Sequence, residues 1–174
     1  MVNNRVKLLV AACLVVGGVL GMAGSFAPPT VRAITWGLDG TLLVIGAALL
    51  AVHHIKRGHE QLAAGFLVFV AGQTLVVSGS AMELSASSPT FAAGVGLWAA
   101  ALALVSVSSL LPVFVRVTGA ISALMFAATA LQTYGGLALT PLSKPLPFFA
   151  YPFLVLTLFG WAWHHYRSDS HDAA

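Results

Sequence analysis

VRAITWGLDGTLLVIGAALLAVHHIKRGHEQLAAGFLVFVAGQTLVVSGSAME, residues 31–83, decides how this chain reads. Two apolar runs flank one short polar connector, HHIKRGHE at 53–60. The connector holds three of the six histidines and two of the eight Lys and Arg residues. The run before it carries Asp39 and the run after it carries Gln73. Each run is about long enough to cross a bilayer core as a helix.

Composition agrees with that environment. The 174 residues are 59% hydrophobic and 7% charged, against about 25% charged in ordinary soluble domains. Mean hydropathy is +0.93. So few charges cannot cover a globule in water, whereas lipid accepts apolar side chains. The fold class expected is an all-α integral membrane protein, with the lipid bilayer as its first partner. The net charge of +3 follows from basic residues on cytoplasmic loops. No basic patch is interleaved with aromatics, so nucleic acid is set aside. Cys13, the one cysteine, sits mid-run and reads as a small packed residue.

Working outward gives a six-transmembrane-helix bundle. The helices are expected at about 8–27, 31–52, 61–82, 90–110, 113–134 and 148–166. They form a single polytopic domain over 1–167, followed by a mobile cytoplasmic tail, 168–174. The first run also resembles a signal peptide, with Gly21-Met22-Ala23 as a cleavage site. It is read as a retained helix because five more spans follow. Pro28-Pro29 ends it. SASSP at 85–89 is expected as a connector, and Pro112 marks a tight turn between helices 4 and 5. Pro152 kinks helix 6 or marks its first turn. Trp161, Trp163 and Tyr166 should form an aromatic belt at the far end of helix 6.

Six spans with the N-terminus inside put Arg5, Lys7, Lys56, Arg57, Arg116 and Arg167 inside, and Arg32 and Lys144 outside. The positive-inside rule then favours N-in, C-in in a bacterial-type inner membrane. Residues 31–50 and 113–132 share a few matches, such as Gly37/Gly119 and Leu42/Leu124, which allows a weak 3+3 inverted repeat. Small residues recur every fourth position at Gly17/Gly21/Ser25, Ala92/Gly96/Ala100 and Gly119/Ala123/Ala127. Such faces suit close helix packing, including a homo-oligomer or a larger membrane complex.

Two polar groupings carry the candidate chemistry. Counting about 1.5 Å per residue puts Asp39, Gln73, Tyr151, Thr129 and Gln132 at one level, roughly 20–24 Å from the histidine end. An intramembrane acid is costly when ionised, so Asp39 should face the bundle interior. It could serve as a proton or ligand site. It could also form a structural hydrogen bond to Gln73, or reach outward toward Arg32. The second grouping is His53, His54, His164 and His165 at the cytoplasmic ends of helices 2 and 6. If those helices are neighbours, one imidazole of each pair could meet at a haem or a divalent metal. Ordinary interfacial histidines explain the pairs more simply, and no cofactor is predicted. Glu83 could line an outer vestibule, or simply end helix 3. No GxSxG, phosphate loop or His–Asp pair points to catalysis.

The first functional expectation is therefore a transporter or channel-like protein for a small solute or ion, proton-coupled through Asp39. The alternative is an accessory or assembly subunit of a larger complex. A haem- or metal-dependent redox protein ranks third, and a lipid-active membrane enzyme last.

Overall fold

A computed structural model describes residues 4–80 and 84–168. The described residues form six helices: α1 Asn4–Gly24, α2 Pro29–Lys56, α3 Glu60–Ser80, α4 Leu84–Ser106, α5 Val113–Tyr134 and α6 Ala150–Ser168. The tail expected to be mobile and Glu83 lie outside the described residues. α1 to α5 each contain a stretch long and apolar enough to cross a membrane, by length and composition. The α6 sequence is less apolar, with Trp, Tyr and His residues toward its C-terminus. The all-helical arrangement is consistent with an α-helical membrane bundle.

Each helix packs on its neighbours in sequence, and α6 returns to α1, so the six helices close into a ring. Large side chains fill the middle. The inward positions step by three and four: Phe91, Val95, Trp98, Leu102 and Val105 on α4, and Leu154, Leu158, Trp161 and His165 on α6. That spacing keeps one seam of each helix facing the interior.

The helix ends differ from the expected bounds for identifiable reasons. HHIKRGHE is not all turn. α2 continues through His53, His54 and Lys56, because basic residues suit a helix C-terminus. Gly58 then stops it with φ +73°. The His59 amide donates back to the His54 carbonyl at 2.9 Å, and Gly58 to Ile55 at 3.1 Å, a glycine-dependent helix stop. The SASSP connector is helical as well. Pro89 falls early in α4, where losing one backbone donor disturbs little of the ladder. α4 ends at Ser106, and Arg116 donates to the Ser106 carbonyl at 2.9 Å. α5 occupies the expected 113–134, and Pro152 lies in the first turn of α6.

The expected aromatic belt is only partly formed. Trp161 is 2% exposed and belongs to the core, whereas Trp163 and Tyr166 face outward. Much of the small-residue pattern is spent within the chain. A Cβ on Gly17 would meet Leu43, and one on Gly119 would meet Ser106. Ala92 and Ala123 are buried, while Ala100 is exposed.

The tightest backbone approach joins α3 to α4. A Cβ on Gly72 would stand 2.9 Å from the Gly94 carbonyl, and one on Gly94 would stand 2.9 Å from the Val76 amide nitrogen. Backbone cannot step aside as a side chain can. Gly94→Leu should therefore destabilise the bundle by about 1–3 kcal/mol through overpacking. Gly37→Ala, where an added Cβ meets nothing within 4 Å, should be neutral or gain up to about 1 kcal/mol. Thermal unfolding in mild detergent, followed by circular dichroism, compares the two.

Candidate functional site

Asp39 lies halfway along α2, where α1 passes with glycines toward it. A Cβ on Gly21 would fall 3.0–3.2 Å from the Asp39 carboxyl atoms. The carboxyl thus occupies space that any side chain at position 21 would contest. Beside it, Trp36 donates through Nε1 to the Gly21 carbonyl at 3.1 Å. Arg32 is engaged elsewhere, donating to the Gly24 and Ala27 carbonyls at 3.1 and 2.8 Å. The outward contact of Asp39 with Arg32 is therefore not formed.

A cavity of about 40 Å³ opens beside this carboxyl. Asp39, Gln73, Tyr151, Trp36 and Trp98 line it, together with apolar groups such as Leu43 and Leu158. Three of the five side chains expected at one level thus meet there, from α2, α3 and α6. Trp98 stacks on Phe69 at 6.0 Å and meets the Tyr151 ring edge-on at 6.0 Å. Phe126 of α5 backs both, at 5.2 and 5.6 Å.

Polar atoms around the cavity are left without partners. Asp39 Oδ1, Gln73 Oε1 and Trp98 Nε1 are buried and make no hydrogen bond. Gln73 is 1% exposed. The structural hydrogen bond expected between Asp39 and Gln73 is absent among the described residues. Buried polar groups are normally satisfied, so a cluster of orphans in one wall marks a place prepared for polar contact.

Thr129 and Gln132 do not join the site. Thr129 is fully buried but returns its hydroxyl to the Met125 carbonyl at 2.9 Å, a bond within its own helix. Gln132 is exposed on the outer face of α5. The inward seam of that helix runs through Phe126, Thr129, Ala130 and Thr133, which turns position 132 away. Trp36 and Trp98 are site residues that the sequence reading did not select. A tryptophan in the middle of the Ala- and Gly-rich α4 was the signal available for Trp98.

The histidines form a second chamber of about 210 Å³, lined by His53, His54, His59, His164, His165 and Arg57, among others. The His53 and His165 rings meet edge-on at 4.5 Å, so one imidazole of each pair does meet, although α2 and α6 do not pack as neighbours. His54 Nδ1 and His59 Nδ1 are 3.3 Å apart. Among the described residues, no group of three or more His, Cys, Asp or Glu side chains is disposed to hold a metal ion. Phe66 and Trp161 roof the chamber on the side toward the Asp39 cavity.

Comparison with protein-family models, with curated proteins and with solved structures returns no match.

An unpartnered Gln73 has a thermodynamic signature. Replacing a satisfied interhelical hydrogen bond costs about 0.6–2 kcal/mol, whereas removing an orphaned buried acceptor is neutral or stabilising. Gln73→Met, close in shape and apolar, should leave the unfolding midpoint unchanged or raise it. A clear drop would reveal a hydrogen bond to this side chain in the membrane.

Proposed function

We propose that this protein carries a small solute or ion across a bacterial-type inner membrane, using the Asp39 cavity as its binding site. The observation supporting the reading is the cavity itself, where an intramembrane carboxyl and a buried amide oxygen face one space without hydrogen-bond partners. Ionisable groups inside membranes are expensive and mark ion or proton pathways by default. Asp39 then holds the cargo, exchanges a proton with it, or does both in turn. The alternative of an assembly subunit calls for a dry, fully packed interior and gains no support from this cavity.

In this reading six helices span the membrane with both termini in the cytoplasm. Its support is the distribution of Lys and Arg over the loops. The 3+3 inverted repeat stands on a handful of sequence matches and belongs to the same proposal. A reporter active only in the periplasm, fused after Ala174, should be silent, and activity there would overturn the orientation.

Asp39→Asn keeps the shape of the side chain and removes its charge and exchangeable acid proton. The variant should insert and elute as the parent does, while proteoliposome uptake falls by about tenfold or more, the scale of a lost charge-assisted contact. Undiminished uptake would count against Asp39 as the site.

A second reading comes from the histidine chamber, where His53 and His165 approach at 4.5 Å. Imidazoles of two helices could ligate a transition metal or haem iron in a redox protein. It ranks behind transport because the two rings already touch, which leaves no space between them for an ion or a haem plane. Protein purified in mild detergent should show neither a Soret band nor stoichiometric metal. Either one would promote the redox reading.

A further inference from the structure

We propose that the Asp39 cavity takes a small organic ammonium ion, a short protonated primary amine, and prefers one that carries a hydroxyl. The inference rests on the reading of this cavity as the solute site and names the chemical class of the solute.

The groups in the cavity wall define what completes them. Asp39 Oδ1 and Gln73 Oε1 are buried acceptors that lack donors. An N–H or O–H group on the ligand supplies what they lack. The carboxylate selects a cation over a neutral donor, since an ionised acid at this depth is costly unless a positive charge compensates it. No Lys, Arg or His among the described residues lines the cavity. Arg32, the cation nearest in sequence, is held by two backbone carbonyls and lies over the Trp36 ring at 5.6 Å. With the cavity empty a proton on Asp39 meets this cost, and when the acid is ionised the compensating charge arrives with the ligand.

Ammonium fits better than a bare metal cation. Hard metal ions take about six or more oxygens, and the cavity offers one carboxyl, one amide oxygen and the Tyr151 hydroxyl. An R–NH₃⁺ group needs only three directed acceptors. Most of the remaining wall is aliphatic, such as Leu43, Val76 and Leu158, and suits a short carbon chain, while Trp36, Trp98 and Tyr151 are its aromatic members, a residue type that attracts ammonium. Trp98 Nε1 adds a constraint of its own, because it is a buried donor without an acceptor. A hydroxyl on the ligand would accept from it. The cavity of about 40 Å³ has room for about three or four water-sized groups, which limits the ligand to about that many heavy atoms.

The test is isothermal titration of the full-length protein in nanodiscs with methylammonium, ethanolamine and potassium chlorides at constant ionic strength. Saturable binding of both amines is expected, tighter for ethanolamine, with no matching response to potassium. Asp39→Asn should weaken amine binding about tenfold or more. Trp98→Phe should remove the advantage of ethanolamine while methylammonium still binds. Gln73→Met serves as a second variant that leaves the carboxyl in place, and a several-fold loss is expected with an unchanged elution profile. Equal responses to potassium and amines would overturn the proposal. So would binding of sodium acetate in place of amines, the absence of any saturable response, or wild-type amine affinity in both Asp39→Asn and Gln73→Met. Asp39-dependent uptake of a neutral or anionic solute without amine binding would keep transport and remove the amine. Amine binding with no uptake of any solute would keep the amine and remove transport.

Discussion

The approach of α1 to α2 at Gly21 controls the interior. With no side chain at that position, the Asp39 carboxyl has a place between the two helices, 3.0–3.2 Å from where a Cβ would stand. Gly17, one turn away on the same face of α1, admits Leu43 in the same manner. On the other side, Gly40 of α2 lies directly against Val77 of α3. α2 is thus held closely on both flanks, and the acid it carries is fixed in position by packing rather than by hydrogen bonds. Small residues allow such close contacts in membranes, where burial of apolar surface does not itself drive helices together.

Packing also keeps the two polar chambers apart. Along α3 the inward seam runs Leu62, Phe66, Phe69, Gln73 and Val76, from the histidine end to the acid end. Phe66 and Phe69 both meet Trp161 of α6 edge-on, at 4.9 and 5.5 Å. These three rings form a layer between the cavity of Asp39 and the chamber of histidines. Under the proposed function, a solute that passes from one to the other has to pass this layer, so rings or helices must move. Discrete rearrangement of packed elements is how such bundles open, and a core of interlocked aromatics has few intermediate arrangements.

The helices were legible in the sequence because each is a long, continuous apolar run, the pattern of a helix in lipid rather than the short alternating strands of a closed barrel. Their ends were less legible, because polarity alone does not end a helix. His53, His54 and Lys56 are polar yet helical, and the true stop, Gly58, is a backbone effect. Depth along the axis was readable from a constant rise per residue, which brought Asp39, Gln73 and Tyr151 together correctly. Depth alone carries no information about rotation, so Gln132 was grouped with them although its helix turns it outward. The three-and-four stepping of Phe126, Thr129, Ala130 and Thr133 contained that information. Residue type alone points Trp161 to the interface, whereas the seam through Leu154 and Leu158 takes it inward.

The distribution of unsatisfied groups is the strongest sign that the cavity is more than a packing fault. A buried donor or acceptor without a partner costs about 1–3 kcal/mol, and any apolar residue of similar shape would remove that cost. A bundle selected for stability alone would have little reason to keep Asp39, Gln73 and the Trp98 indole facing the same space. Yet Asp39 Oδ1, Gln73 Oε1 and Trp98 Nε1, contributed by three different helices, all line one cavity. Elsewhere in this core Thr129, Thr133 and Thr157 each return the hydroxyl to a carbonyl of its own helix, although the Trp161 indole nitrogen is also without a partner. Asp39 and Gln73 line the same cavity from neighbouring helices, yet neither Asp39 Oδ1 nor Gln73 Oε1 has a hydrogen-bond partner. Stability given up locally, in a site whose geometry is otherwise tightly held, is the pattern of binding sites that await a ligand with the missing donors and charge.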